Sequence, residues 1–163
     1  MKKFLTLLFL LLNLVVCGVS ANTVLEGRVV AVADGDTLTV LDAQQKQHKI
    51  RLLGIDAPEK AQPFGQKSKE SLSLLAFQKQ VQVRSSKKDR YGRTVGQVFV
   101  SNTDVCLEQV KLGMAWHYKA YQREQLPEDR VLYARAELQA REQRVGLWTD
   151  PSPVEPSTFR RQK

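Results

Sequence analysis

The chain has 163 residues, which is a usual length for one domain. Lys and Arg number 25 against 17 Asp and Glu, so the formal net charge is +8. This excess favours a polyanionic partner, whether nucleic acid, anionic lipid or acidic polysaccharide, and does not choose among them. If Cys17 is removed with a leader, Cys106 has no partner in the chain, which excludes a fold held by internal disulfides. We therefore interpret Cys106 as a small buried hydrophobic residue.

The first 20 residues have the pattern of a secretory signal peptide. Lys2 and Lys3 precede an uncharged, mostly apolar run over residues 4–16, and small residues follow it. The run is shorter than the ~20 residues of a membrane span, so an uncleaved anchor is the less favoured alternative. We predict cleavage after Ser20 or Ala21, a secreted or periplasmic location, no stable membrane association afterwards, and a monomer.

Short strands and amphipathic helices follow one another along the rest of the chain. Strand patterns occupy residues 23–33, 37–41, 48–53, 81–83 and 94–100. Apolar residues at helical spacing occupy residues 66–80, 105–112 and 127–144. Five short strands with a helix after the third predict an α+β, mainly β fold: an OB-type five-stranded barrel with three α-helices. Three prolines and a basic end predict a flexible, disordered tail over residues 150–163, which leaves 21–149 for the folded domain.

Two aspartates at strand ends are candidate ligands for a cation. Asp36 begins the second predicted strand and Asp56 follows the third, so pairing of these strands would bring them together. Calcium tolerates irregular sites made of carboxylates, carbonyls and water. Zinc is poorly supported, because two histidines and one mature cysteine lie far apart. For Asp34 and Gly35 an ordinary hairpin turn is the alternative interpretation.

A loop glutamate and two arginines complete the candidate set. Glu59 follows Pro58, which restricts the local backbone, and such a carboxylate can act as a general base or orient a water. Arg51 and Arg93 offer planar forks of donors that match the equatorial oxygens of a phosphodiester under attack. A solvated loop acid and surface salt bridges are the alternatives for single residues. The joint occurrence of complementary groups favours a phosphodiesterase site.

Three sequence blocks together resemble the signature of the staphylococcal (micrococcal) nuclease family. They are DGDT at 34–37, RLLGIDAPE at 51–59 and DRYGR at 89–93. The resemblance runs from about Val24 to Trp148, nearly the whole mature chain, and includes GLW at 146–148. It implies an OB-fold barrel with three helices and a calcium-dependent endonuclease of DNA and RNA. The implied reaction cleaves the P–O5′ bond, leaves 3′-phosphates and has little sequence specificity.

The resemblance also implies roles for individual residues. It assigns catalysis to Arg51, Glu59 and Arg93. It assigns Ca2+ binding to Asp36, Asp56 and Ala57. Ala57 stands where the best-known member has a threonine, but that residue coordinates through its backbone carbonyl, which alanine retains. The loop over residues 60–65 is short, which puts substrate contacts there in question.

Candidates for substrate contact lie in two places. Arg90 and Tyr91 belong to the third block, whereas Tyr118 and Tyr121 lie in a segment that does not align cleanly with the paired tyrosines of the family. Tyrosines can stack on bases or donate hydrogen bonds to phosphates. Packing of Tyr118 and Tyr121 on the rim of the barrel is the alternative.

Two other functions compete with the nuclease hypothesis. One is an OB module that binds nucleic acid without cutting it, which predicts missing acids or arginines, and none is missing. The other is a metal-independent ribonuclease that uses His48 and His117. His48 lies on the same strand face as Ile50 and Leu52, which favours a structural role for this histidine.

Overall fold

Five strands close a barrel in the computed structural model, which describes residues 23–162. The strands of this range are β1 Thr23–Val32, β2 Thr37–Leu41, β3 Gln47–Leu52, β4 Ile55–Asp56, β5 Gln80–Lys88, β6 Thr94–Val100, β7 Thr103–Asp104 and β8 Trp116–His117. Its helices are α1 Gly65–Ala76, α2 Val105–Lys111, α3 Pro127–Glu142 and α4 Pro156–Arg161, with short 3-10 turns at Lys119–Glu124 and Gly146–Thr149.

The barrel consists of β1, β2, β3, β5 and β6. Neighbouring strands run antiparallel in the order β3, β2, β1, β5, β6, and β6 then pairs with β3 in parallel, which closes the sheet. A register shift between Val29 and Ala31 marks a bulge in the long strand β1, and bulges bend a strand. The predicted α+β, mainly β barrel of OB type is confirmed.

Alternation along the strands separates the core from the surface. On β3, Ile50 and Leu52 are buried, and so are Leu38 and Val40 on the neighbouring strand β2. Arg51 lies between Ile50 and Leu52 and is therefore on the other face of the strand. The same short strand thus fills the core with aliphatic side chains and presents a guanidinium outside it. Cys106 is fully buried, as predicted.

Asp104 anchors helices α2 and α3 beside the barrel. Its Oδ1 caps α2 by accepting the backbone N–H groups of Cys106 at 2.9 Å and Leu107 at 3.2 Å. Its Oδ2 accepts the buried hydroxyl of Tyr133 on α3 at 2.7 Å and the amide of Gln97 on β6 at 2.8 Å. One carboxylate therefore joins a barrel strand to two helices.

The C-terminal segment differs from its prediction. The sequence predicts a disordered tail over residues 150–163, but residues 156–161 form α4, whose first residue, Pro156, is buried. The side-chain amide of Gln62 donates to the carbonyl of Val154 at 2.6 Å and ties the segment to the loop before α1. The prediction of disorder is wrong for this segment, because a buried proline and a tertiary hydrogen bond anchor a stretch whose composition resembles that of a tail.

Two element boundaries also differ from those predicted. Helix α1 ends at Ala76 rather than at residue 80, because Phe77 has an extended backbone and Gln78 then adopts a left-handed one with φ of 61°. Strand β5 continues to Lys88 rather than ending at residue 83. Its second half carries exposed polar residues such as Arg84 and Lys87, so it has no apolar alternation that would reveal it in the sequence.

The predicted signal peptide, residues 1–20, lies outside the described residues. Within residues 23–162, no helix combines the length and the apolar character needed to cross a membrane. The longest helix there, α3, has 16 residues and carries charges throughout.

Candidate active site

A cleft of about 620 Å³ lies at one end of the barrel. Strand pairing forms it, because the start of β2 lies opposite the end of β3, and the end of β5 lies opposite the start of β6. Of the residues assigned to the nuclease hypothesis, all except Asp56 line this cleft: Asp36, Arg51, Ala57, Glu59, Arg90, Tyr91, Arg93, Tyr118 and Tyr121. Asp56 is only 2% exposed, but it contacts Arg51, which lines the cleft.

Asp36 is fixed from both sides of its turn. Its backbone N–H donates to Oδ1 of Asp34 at 3.1 Å, and its own Oδ2 accepts the backbone N–H of Ala57 at 2.9 Å. Its carbonyl accepts the N–H of Leu52 at 2.8 Å. Gly35 permits this close packing, because an added Cβ would lie 1.8 Å from Oγ of Ser68 on α1. The turn before β2 and the segment after β4 therefore meet at this carboxylate.

Arg51 lies between the two predicted metal-binding carboxylates. Its Nη1 is 3.2 Å from Oδ2 of Asp36, and its Nη2 is 3.2 Å from Oδ1 of Asp56. Nη1 also donates to the carbonyls of Leu52 at 3.0 Å and Ile55 at 2.9 Å. The guanidinium is thus held by backbone as well as by charge, and it brings Asp36 and Asp56 into one cluster.

Negative charge is crowded beside Arg51. Burial, together with the nearby charge of Asp36, raises the pKa of Asp34 above the usual range. Burial also raises the pKa of Asp56, because its contacts with Arg160 and Arg51 offset the loss of solvation only in part. The site therefore holds a buried and a half-buried carboxylate whose charged forms are incompletely stabilised by the protein, a situation that a bound cation would relieve.

The oxygen atoms at this place suit a hard cation. Within residues 23–162, no group of three His, Cys, Asp or Glu side chains converges in a way that could hold a metal ion. Asp36, Asp56 and the carbonyl of Ala57 would therefore be supplemented by water and by substrate oxygens. Calcium accepts such mixed, irregular oxygen coordination. Zinc, which prefers nitrogen and sulfur ligands, finds none in the cleft lining.

Glu59 stands in a tight loop beside the aspartates. Its backbone N–H donates to Oε1 of Gln62 at 3.1 Å, and its carbonyl accepts the N–H of Gln62 at 2.8 Å. Gly65 is required by this fold of the loop, because an added Cβ would lie 2.0 Å from the carbonyl oxygen of Glu59. The loop is therefore held by its own hydrogen bonds, while the Glu59 side chain stays half-exposed in the cleft.

Arg93 is positioned by the hairpin between β5 and β6. Asp89 accepts the backbone N–H groups of Tyr91 and Arg93, both at 2.9 Å, and its Oδ2 accepts Nε of Arg93 at 2.7 Å. Burial opposes the charged form of Asp89, but these hydrogen bonds outweigh it and lower its pKa. Arg93 Nη1 reaches Oγ1 of Thr37 at 3.4 Å. One edge of the guanidinium is thus fixed by Asp89 while the side chain lines the cleft.

Aromatic and basic side chains also line the cleft. On the hairpin side, the exposed Tyr91 has the guanidinium of Arg90 4.8 Å from its ring centre and that of Arg93 at 5.5 Å. Elsewhere in the cleft lining, the rings of Tyr118 and Tyr121 lie 5.0 Å apart, centre to centre. Burial raises the pKa of Tyr118. The cleft can therefore accept both phosphates and the flat faces of bases.

Arg160 of α4 is a site residue that sequence reasoning missed. Its Nη1 donates to Oε1 of Glu59 at 2.7 Å, and its Nη2 donates to Oδ2 of Asp56 at 2.9 Å. Partial burial opposes its charged form, but these bonds dominate and raise its pKa. The sequence does carry one signal for α4: proline is favoured at the start of a helix and arginine at its end, and Pro156 is followed by Arg160 and Arg161.

The two histidines lie elsewhere. His117 is buried, its Nε2 is 2.9 Å from Oε1 of Gln125, and burial lowers its pKa. The Nε2 atom of His48 lies 2.6 Å from Oδ2 of Asp42. Neither ring is among the residues that line the cleft. The geometry therefore does not favour a ribonuclease built on these histidines.

A barrel with buried carboxylates, paired arginines and a loop glutamate in one cleft has the fold and the charged groups of a phosphodiester-cleaving enzyme. Comparison with known proteins agrees. Residues 49–150 match the family model described as staphylococcal nuclease homologue. The chain belongs to the staphylococcal nuclease family, and it is a nuclease, a hydrolase that acts on phosphodiester bonds.

Similar proteins come from bacteria and plants. An uncharacterized endonuclease of Haemophilus influenzae is 45% identical over 163 residues, which cover 99% of this chain and 86% of that protein. A micrococcal nuclease of Shigella flexneri is 40% identical over 144 residues, 83% of this chain and 80% of that protein. A probable staphylococcal-like nuclease of Oryza sativa is 42% identical over 118 residues, which cover 72% of this chain but 34% of the plant protein.

Proposed function

We propose that this endonuclease is calcium-dependent, hydrolyses both DNA and RNA, and leaves 3′-phosphate ends. The observation that carries the proposal is the cluster in which Arg51 bridges Asp36 and Asp56 beside the loop that carries Glu59. Family membership supports the same reaction. Together they supply ligands for a hard cation, a base for water and donors for a phosphate in a single cleft.

Asp36, Asp56 and the carbonyl of Ala57 are proposed to hold the calcium ion. The bound ion supplies positive charge next to the phosphate, where negative charge grows during attack. Asp36 is suited to this role because backbone and side-chain hydrogen bonds already fix its carboxylate. Asp56 is suited to it because burial makes its charge costly without a cation.

Glu59 is proposed to take a proton from the attacking water. The water oxygen then forms a bond to phosphorus, the P–O5′ bond breaks, and the leaving oxygen takes up a proton to become a 5′-hydroxyl. Arg93 and Arg51 donate hydrogen bonds to the equatorial oxygens while this happens. The 3′ side of the cleaved strand keeps the phosphate.

Substrate strands are proposed to lie along the aromatic and basic rim. Arg90 and Tyr91 would contact one side of the scissile phosphate, and Tyr118 and Tyr121 the other, by stacking and by hydrogen bonds to phosphate. Such contacts address backbone and ring faces rather than base edges, so little sequence specificity is expected. Binding should weaken strongly as salt rises.

The test uses closed circular single-stranded DNA and an RNA of a single length, each incubated with the mature protein in the presence of calcium. Cleavage of the circle establishes endonuclease action, because it has no ends, and phosphatase-sensitive 3′ ends establish the bond that is cut. We expect both substrates to be cut and all new 3′ ends to carry phosphate. Binding of either polymer without cleavage would contradict the proposal and favour a binding module.

We further propose that the chain is exported and acts as a monomer outside the cytoplasm. Support for export comes from the sequence of residues 1–20, with two lysines before an apolar run and small residues at its end. Fusion of these residues to a reporter that is active only after export tests the location. Size-exclusion chromatography with light scattering tests the monomer.

A further inference from the structure

Arg160 holds two of the proposed functional carboxylates at once. Its Nη1 lies 3.2 Å from Oδ1 of Asp56 and 2.7 Å from Oε1 of Glu59, and its Nη2 lies 2.9 Å from Oδ2 of Asp56. Both oxygens of Asp56 are therefore engaged by this one fork, and Arg51 shares Oδ1. Such a two-point contact is the strong form of an arginine–carboxylate pair.

The contact is built by structure around it and is not a loose surface pair. Pro156 at the start of α4 is buried, and Gln62 ties the preceding Val154 to the Glu59 loop. The same Gln62 side chain thus joins the loop that carries Glu59 to the segment that carries Arg160. Asp56 is almost inaccessible, whereas Arg160 keeps 41% of its side chain exposed. The arginine can consequently leave the site, and Asp56 cannot.

A cation that coordinates Asp56 needs an oxygen that Arg160 holds. A cation bound to Asp56 would also lie close to the guanidinium of Arg160, and the two positive charges would repel each other. The cation and the guanidinium therefore compete for the carboxylate. We propose that Arg160 is a tethered counter-charge whose displacement from Asp56 accompanies calcium binding, so that helix α4 sets the calcium concentration that the enzyme requires. The inference rests on the calcium role proposed for Asp56. Because Nη1 of Arg160 contacts both carboxylates, we expect its displacement from Asp56 to weaken its contact with Glu59 as well.

Removal of the competitor should tighten calcium binding. An ion pair that is partly exposed contributes up to about 1 kcal/mol, and more when one partner is buried, so Arg160→Gln should bind calcium about threefold to tenfold more tightly. Arg161→Gln is the matched control, because it removes the same charge one residue away, from a side chain that donates a hydrogen bond to Thr158 of its own helix. Arg160→Lys keeps the charge without the fork and should fall between the wild type and Arg160→Gln.

The experiment is calorimetric titration of Ca2+ into the wild type and these three variants, with circular dichroism to verify the fold of each. Tighter binding by Arg160→Gln but not by Arg161→Gln supports the proposal. Equal shifts in both glutamine variants would show a general charge effect and overturn it, as would weaker binding by Arg160→Gln. Unchanged affinity in Arg160→Gln with normal binding by the wild type overturns only the role of Arg160. Absence of binding by the wild type overturns the calcium role of Asp56 as well, so the two failures are distinguishable.

Discussion

Two carboxylates organise two regions of this protein, and they are stabilised in opposite ways. Asp104 lies between the barrel and helices α2 and α3, where neutral N–H and O–H donors satisfy both of its oxygens. Asp56 lies at the cleft, where its partners are the guanidiniums of Arg51 and Arg160 and where Asp36 adds a like charge. The hydrogen-bond donors to Asp104 are neutral, whereas those to Asp56 are positively charged.

The difference separates stability from function. Buried polar groups that are fully hydrogen-bonded fix the packing of elements. Carboxylates whose pKa values are raised by loss of solvation, such as the buried Asp56 and the half-buried Asp34, cost stability and are typical of sites that bind or react. We therefore expect substitutions at the cleft to lower activity more than stability, and substitutions at Asp104 to do the reverse.

The largest expected effect is the loss of activity in Glu59→Gln. The amide cannot take a proton from water, so kcat should fall about 10²–10⁴-fold. The melting temperature should stay close to that of the wild type, because Glu59 is half-exposed and loses mainly its pair with Arg160. Steady-state cleavage of a labelled oligonucleotide and a thermal melt measure the two quantities. Unchanged kcat would remove Glu59 from the proposed chemistry.

Next in size is the loss of stability in Asp104→Ala. This change removes the cap of α2 and leaves the Tyr133 hydroxyl without its acceptor, so the free energy of unfolding should fall by about 2–4 kcal/mol. Urea denaturation measures it. Asp104→Asn keeps a capping oxygen and should lose less. If folded Asp104→Ala were inactive at low temperature, the separation between the two regions would be wrong.

The smallest expected effect is a gain of stability in Asp34→Asn. The pKa of Asp34 is raised in the folded protein, so its ionised form costs stability at pH values above that pKa. Removing the charge should raise the melting temperature by a few degrees at neutral pH. The gain should shrink as the pH falls through the raised pKa, where wild-type Asp34 becomes neutral. Melts of both proteins from pH 7 to pH 4 test this, and a gain that grows towards low pH would contradict it.

The barrel and the centre of the cleft were predictable because their signals are local. Strand alternation around Arg51 reveals both the core and the outward guanidinium, and the pairing of β2 with β3 follows from the turn between them. Asp36, Asp56 and Arg51 lie within a short stretch of paired chain. Their proximity therefore needs little knowledge of the rest of the fold.

Arg160 was not predictable in the same way. It meets Asp56 across 104 residues of sequence, and α4 has six residues, too few for a helical apolar pattern. Its anchors are the buried Pro156 and the hydrogen bond from Gln62 to Val154, which composition does not reveal. The polar second half of β5 was not predicted for a related reason, because a strand with exposed polar side chains carries no apolar alternation.

The rate of DNA cleavage as a function of free calcium shows whether catalysis depends on a cation at the carboxylate cluster. The carboxylate cluster at Asp36 and Asp56 predicts that a chelator abolishes cleavage by the wild-type enzyme and that added calcium restores it along a saturating curve. A cleavage rate that is the same in chelator and in calcium would show that the reaction needs no calcium ion.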